Sequence, residues 1–184
     1  MEKKCPTFYT RPENDWEKLT EEFFARPAVE IAPQLVGCYL SHEVDGEFKA
    51  LRITEVEIYS GETDSACHAR SGRTPRSSVL YKKPGTLYVY LCYGIHDLLN
   101  IVTGEEDYPE AVLIRACAGA DGPGKLTRAL NITRDLNDRS LRETPELAFW
   151  SDGKYHEFNA LPRVGIDYAD EADRFKLWRF QLRE

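Results

Sequence analysis

The chain has 184 residues, 42% of them hydrophobic and 30% charged, and its 24 basic and 31 acidic side chains give a formal net charge of −7. That length supports one domain around one core, and the composition excludes collagen-like, low-complexity and disordered classes. No apolar run approaches the ~20 residues of a membrane-spanning helix, and the N-terminus lacks the apolar stretch of a signal peptide, so a soluble intracellular protein is expected.

In chain order, Asn14 stands three residues before Glu17, which predicts a capping-box entry to a helix carrying Leu19, Phe23 and Phe24 and stopped at Pro27. A second short helix is expected over 28–36, ended by Gly37. CYLSHE, the turn residues VDG and an alternating run to Tyr59 predict a hairpin. Further strands are expected at 86–93, 98–103 and 111–118, and a helix opens at Pro123 after a glycine-rich turn. No period stands out over 135–173, and a last strand is expected at 175–182. Hairpins with helices at one end define an α+β class: a single domain over 1–184, with a mostly antiparallel curved sheet and flanking helices.

Strand parity sorts the side chains. Alternation puts Leu51, Ile53, Glu55, Glu57 and Tyr59 on one face of their strand, an odd set for a packing surface. The plain alternative is a face open to water, which suits Glu55. Tyr88, Tyr90 and Cys92 share a second face opposite Leu87, Val89 and Leu91, and Tyr93 falls at the strand end beside Gly94. Strand propensity alone would account for those aromatics as core.

Charge is uneven. From Ser65 to His96 there is no acidic residue, but Arg70, Arg73, Arg76, Lys82 and Lys83 give +5. From Ala111 to Arg134, Arg115, Lys125, Arg128 and Arg134 face only Asp121, giving +3 and leaving −15 on the remainder. Two basic tracts on an acidic body form a local footprint for a polyanion, or two solvated loops. The five cysteines, Cys5, Cys38, Cys67, Cys92 and Cys117, are odd in number and unpaired in spacing, which argues against a disulfide framework and fits a reducing compartment. Cys92 with His96 is two ligands short of a zinc site, so no metal is expected.

Gly119, Gly124 and Lys125 spell a phosphate-binding loop, but Leu126 stands where a magnesium-binding Ser or Thr is required, and Pro123 removes an N–H donor. That makes a nucleotide hydrolase the weaker competitor. No G-x-S-x-G and no Cys-His pair supports a nucleophile, and the sequon at Asn131 is one by spelling only.

The segments EVEIYSGETDSACHARSGRTPR, KKPGTLYVYLCYGIHDLLNIVT, PEAVLIRA and GPGKLTRAL closely resemble the alkyladenine (3-methyladenine) DNA glycosylase family, over about residues 32–131, with a weaker echo in PRVGIDYA and KLWRF. The resemblance implies a monomeric enzyme without cofactor or metal. It would act on double-stranded DNA, in the cytoplasm or nucleoid of a bacterium or the nucleus of a eukaryote. Its substrates would be damaged purines of the 3-methyladenine, 7-methylguanine, hypoxanthine and ethenoadenine type. The roles it implies make Glu57 the general base that activates water, with Arg115 beside that water. Tyr59, His68 and Tyr90 become the walls around a flipped-out base, Tyr93 the wedge that enters the duplex, and Asn100 the pocket floor that screens bases. Arg70, Arg73, Arg76, Lys82, Lys83 and Lys125 are assigned to the phosphate-facing surface. The acidic net charge and Cys67, where the family has a small unreactive residue, depart from the pattern. A catalytically silent binder of damaged DNA is the alternative from another class. The chemistry agrees with the roles: an extruded nucleotide is needed to expose the sugar carbon, stacking contributes roughly 1–3 kcal/mol per base, and a carboxylate stabilises oxocarbenium character while deprotonating water.

Overall fold

The computed structural model describes residues 6–183, so Cys5 lies outside the described residues. Nine strands form one sheet: β1 (Glu17–Lys18), β2 (Tyr39–Val44), β3 (Glu47–Ser60), β4 (Leu87–Cys92), β5 (His96–Val102), β6 (Glu110–Cys117), β7 (Leu147–Ser151), β8 (Phe158–Leu161) and β9 (Arg179–Leu182). The order is β1-β7-β2-β3-β6-β5-β4, with β9 branching from β3 and β8 pairing β9. All pairings are antiparallel. Four α-helices join it: α1 (Glu21–Phe24), α2 (Ala28–Leu35), α3 (Pro123–Ala129) and α4 (Glu171–Arg174). This is the single α+β domain with an antiparallel sheet that the sequence predicts.

The β2–β3 hairpin turns on Asp45 and Gly46, whose φ angles of 53° and 76° are those of a two-residue turn matched to strand twist. Beyond it the expected alternation in β3 fails. The pairing with β6 is irregular between Ile53 and Val56: an extra residue on β3 is followed at once by one on β6, so the overall register is kept, yet each later β3 side chain takes the opposite face. Leu51 and Ile53 therefore join Val56 and Ile58 in the main core, and only Glu57 and Tyr59 of the expected apolar-acidic face remain at the cavity described below. From there the four strands β3, β6, β5 and β4 keep one register of faces. Ile58, Ile114, Leu99 and Val89 point to the core with Ile31 and Leu35 of α2 and Leu126 of α3. Glu57, Leu113, Leu98, Asn100 and Tyr90 look the other way.

Two expectations at the ends need correction. Glu17 and Lys18 do not enter a helix but pair with Ser151 and Trp150 of β7, while Trp16 stacks on Tyr39 with ring centroids 3.8 Å apart. The helix starts only after Thr20. Long-range pairing and aromatic burial outweigh the local capping signal. The stretch 135–173 carries β7 and β8, and the expected last strand shortens to Arg179–Leu182 because residues 175–178 form the turn that leaves α4 (Glu171–Arg174).

Candidate active site

Four neighbouring strands, β3, β6, β5 and β4, line one cavity of about 540 Å³, a size suited to a small ligand. Its floor is strand surface: Glu57 and Tyr59 from β3, Leu113 and Arg115 from β6, Leu98 and Asn100 from β5, Tyr88 and Tyr90 from β4. The segment 66–68, leading into a 3-10 turn His68–Ser71, forms one rim, and residues 164–168 form another.

Glu57 is fully buried. Its Oε2 accepts from the Tyr59 hydroxyl at 2.9 Å and its Oε1 from the Val164 backbone N–H at 2.8 Å. Arg115 Nε lies 3.4 Å from Glu57 Oε1 and 3.3 Å from Glu55 Oε1, close enough for ion pairing yet aligned for a hydrogen bond with neither. Burial raises the Glu57 carboxyl above its ordinary range, opposed by Arg115, Val164 and Tyr59 and reinforced by Glu55. Burial and the neighbouring carboxylate also raise the Tyr59 phenol, so Tyr59 donates and stays neutral. The site thus holds a carboxylate with increased proton affinity, kept in place by two donors and open to a small molecule in the cavity.

His68 contacts the Tyr88 hydroxyl through Nδ1 at 2.9 Å and meets the Tyr90 ring nearly edge-on, centroids 4.7 Å apart. Burial, then Arg76 and Arg70, lower its pKa to about 4, so the imidazole is neutral at neutral pH. Asn100 donates one N–H of Nδ2 to the Tyr88 carbonyl at 3.1 Å, which fixes the orientation of its amide. Tyr93 follows β4 in the turn to β5 at the cavity mouth, with a φ of 51° and 89% exposure, beside exposed Leu91 and Ile95. Cys67 is buried at the rim, its thiol pushed up to about 11 by desolvation, and so an unreactive wall.

The seven residues Glu57, Arg115, Tyr59, His68, Tyr90, Asn100 and Tyr93, assigned from widely separated segments, thus line a single cavity. Of the six basic residues assigned to the phosphate-facing surface, Arg76 alone lines it, with its guanidinium 5.1 Å from the Tyr90 ring centroid. Arg73 pairs with Asp107 and stacks on Tyr81, Lys82 pairs with Asp138, and Arg70 bonds the Ser65 carbonyl and lies over Tyr168. Lys83 and Lys125 are exposed. The phosphate-loop reading finds no support: β6, which leads into Gly119, runs antiparallel to both neighbours, and Gly124 is packed so closely on His96 that a Cβ would lie 2.6 Å from the ring.

Three features escaped the sequence reading. Arg163 is buried against Asp64 in a two-armed pair at 2.6 and 2.8 Å, also bonds the Ile58 carbonyl, and lies between the Tyr59 and Trp178 rings. Glu55, expected at a solvent face, is instead paired with Arg115 and Arg179. The Val164 N–H comes from a loop with no periodicity of its own. The echo PRVGIDYA, which contains Arg163 and Val164, was the available signal for the first and third.

The fold is an antiparallel α+β domain with a buried carboxylate under an aromatic-walled cavity. The profile of methylpurine-DNA glycosylases matches residues 22–184, and the chain belongs to that family. A relative from Methanocella arvoryzae is 40% identical over 182 residues, covering 88% of this chain and 90% of its own. One from Myxococcus xanthus is 42% identical over 173 residues, 87% of this chain and 89% of its own. One from Nitrosococcus oceani is 42% identical over 183 residues, 89% of each. All three are provisionally named 3-methyladenine DNA glycosylases. Membership makes DNA the substrate and hydrolytic base removal the activity. No helix among the described residues is long and apolar enough to cross a membrane.

Proposed function

We propose that the chain is a monofunctional glycosylase that extrudes a damaged purine of the 3-methyladenine, 7-methylguanine, hypoxanthine or ethenoadenine type from duplex DNA and hydrolyses its N-glycosidic bond. The observation that carries this reading is Glu57, a fully buried carboxylate with raised proton affinity at the floor of an aromatic cavity. Glu57 takes a proton from water as the water oxygen bonds to the sugar C1′. The electron pair of the C1′–N bond leaves with the base, and Arg115 stands beside the reacting water. Tyr59, His68 and Tyr90 hold the extruded base by stacking, and Tyr93, projecting from the β4–β5 turn, fills the gap in the duplex. Asn100 screens the base edge.

The test is single-turnover base release by Glu57→Gln. Glutamine can keep both contacts, its oxygen accepting from the Val164 N–H and its amide donating to the Tyr59 oxygen, while losing the ability to take a proton. Loss of release by a factor of 10² or more is expected on the scale of general-base catalysis, with lesion binding retained. Near-normal release sinks the assignment, and a wild type that binds lesions without releasing base establishes the silent binder. Borohydride trapping of a covalent protein–DNA adduct during turnover would contradict the hydrolytic, monofunctional course.

A further inference from the structure

The polar contacts around Glu57 close into a ring that extends outside the cavity. Glu57 Oε1 accepts from the Val164 N–H at 2.8 Å, and two residues earlier the Pro162 carbonyl accepts from Arg179 Nε at 2.8 Å. Arg179 Nη1 donates to Glu55 Oε1 at 2.7 Å, and Arg115 Nε stands 3.3 Å from that same Glu55 oxygen and 3.4 Å from Glu57 Oε1. Arg115 is thus shared almost evenly between two carboxylates, and Arg179 holds the same Glu55 oxygen from the other side of the ring. Glu55, with a side chain only 13% exposed, is absent from the cavity lining.

We propose that Glu55 is a positioning residue which, by sharing Arg115 with Glu57 while restrained by Arg179, sets how strongly Glu57 holds a proton. The inference rests on reading Glu57 as the base that activates water.

The charged groups facing Glu57 can be named element by element. On β3 they are Glu55 and the Tyr59 hydroxyl, and on β6, Arg115. On β9 there is Arg179, whose backbone is the register partner of Glu57, and on the 162–164 segment there is Arg163, matched by Asp64. With Glu57 ionised, three carboxylates, Glu55, Glu57 and Asp64, balance three arginines, Arg115, Arg163 and Arg179. A buried carboxylate held by an unshared arginine would be a weak base, because the nearby cation favours its charged form. Glu55 prevents that by drawing half of the Arg115 contact away. The raised proton affinity of Glu57, to which Glu55 adds, agrees with this charge count.

The two flanks of the ring predict shifts of opposite sign. Glu55→Gln leaves a net positive cluster and frees Arg115 for Glu57, which favours the carboxylate. Arg179→Gln leaves a net negative cluster and leaves Glu55 wholly to Arg115, which favours the protonated form. The experiment follows single-turnover release of 7-methylguanine from a duplex as a function of pH for wild type, Glu55→Gln, Arg179→Gln and Glu57→Gln, with thermal unfolding measured alongside. This base carries a fixed positive charge, so its departure needs no proton. The acidic limb of the rate profile moves down by about one pH unit in Glu55→Gln and up by about one in Arg179→Gln. Rates lowered by a constant factor at every pH, with the limb in place, overturn the proposal and leave Glu55 a structural residue. If Glu55→Gln does not fold, the direction of the Arg179→Gln limb decides alone. Wild-type release by Glu57→Gln would instead overturn the assignment of the base, whatever the other variants do.

Discussion

Arg163 is the side chain whose removal this fold should tolerate least. Both it and Asp64 have no exposed side-chain surface, and they are joined by two short contacts of 2.6 and 2.8 Å. Arg163→Met keeps much of the length and apolar contact with Tyr59 and Trp178 but leaves the Asp64 carboxylate buried with only the Ser60 and Ala66 N–H groups as donors. Breaking a buried pair from one side costs about 3–5 kcal/mol. At this chain length each kcal/mol lowers Tm by about 2–4 °C, so a fall of about 10 °C is expected. Asp64→Asn combined with Arg163→Met should recover most of that loss. The amide oxygen still accepts from Ala66, and no charge is left unpaired. Catalysis should fall further than folding does, because Arg163 anchors the backbone that presents the Val164 N–H to Glu57. Thermal unfolding of wild type, the single and the double variant, with base release measured well below each Tm, tests both statements. A single variant within 1 kcal/mol of wild type would refute the reasoning on the buried pair.

Asn100→Gly should admit guanine to the pocket while costing about 1 kcal/mol through the lost bond to the Tyr88 carbonyl and the freer backbone; release from guanine and hypoxanthine duplexes, with unfolding in parallel, separates lost screening from lost stability. His68 binds a proton at about 4 when folded against 6.5 for a free side chain, so the unfolded chain takes up the proton first on acidification. The stability tied to this group is complete above pH 6.5 and is lost as pH falls to 4, and urea midpoints of His68→Gln should lack that part of the slope. Arg76→Ala should reduce the salt dependence of DNA binding by about one counterion, and Arg73→Ala by less, since Asp107 already pairs with Arg73; equal effects would show that this pair opens on DNA.

How much of this was legible in the sequence depended on the range of the forces involved. The β2–β3 hairpin was plain because Asp45 and Gly46 are residues that accept positive φ, and the shared face of Tyr88 and Tyr90 followed from alternation, whereas the place of Asn100 came from the family resemblance. The helix start was misplaced because Glu17 and Lys18 are decided by β7, more than 130 residues away, which no local cap can report. Glu55 looked like a water-facing side chain because the two arginines that cover it lie on β6 and β9. The strand side chains assigned from the family resemblance, Glu57, Tyr59, Tyr90, Asn100 and Arg115, line one cavity. The Val164 contribution is a backbone N–H on a loop, and side-chain chemistry carries no trace of it.

The slip between Ile53 and Val56 divides β3 into two stretches that answer to different demands. Residues ahead of it are tied to β2, and those after it to β6 and β9. The slip on β3 is answered by one on β6, since Ile53 faces Cys117 and Val56 faces Ile114, three residues on along each strand. The aim of Glu57 and Tyr59 is therefore a property of a strand pair: deleting Thr54 alone would put residues 56–60 one position out of step with β6. A graft of the 56–60 segment onto another antiparallel sheet would have to bring a partner strand with the matching irregularity.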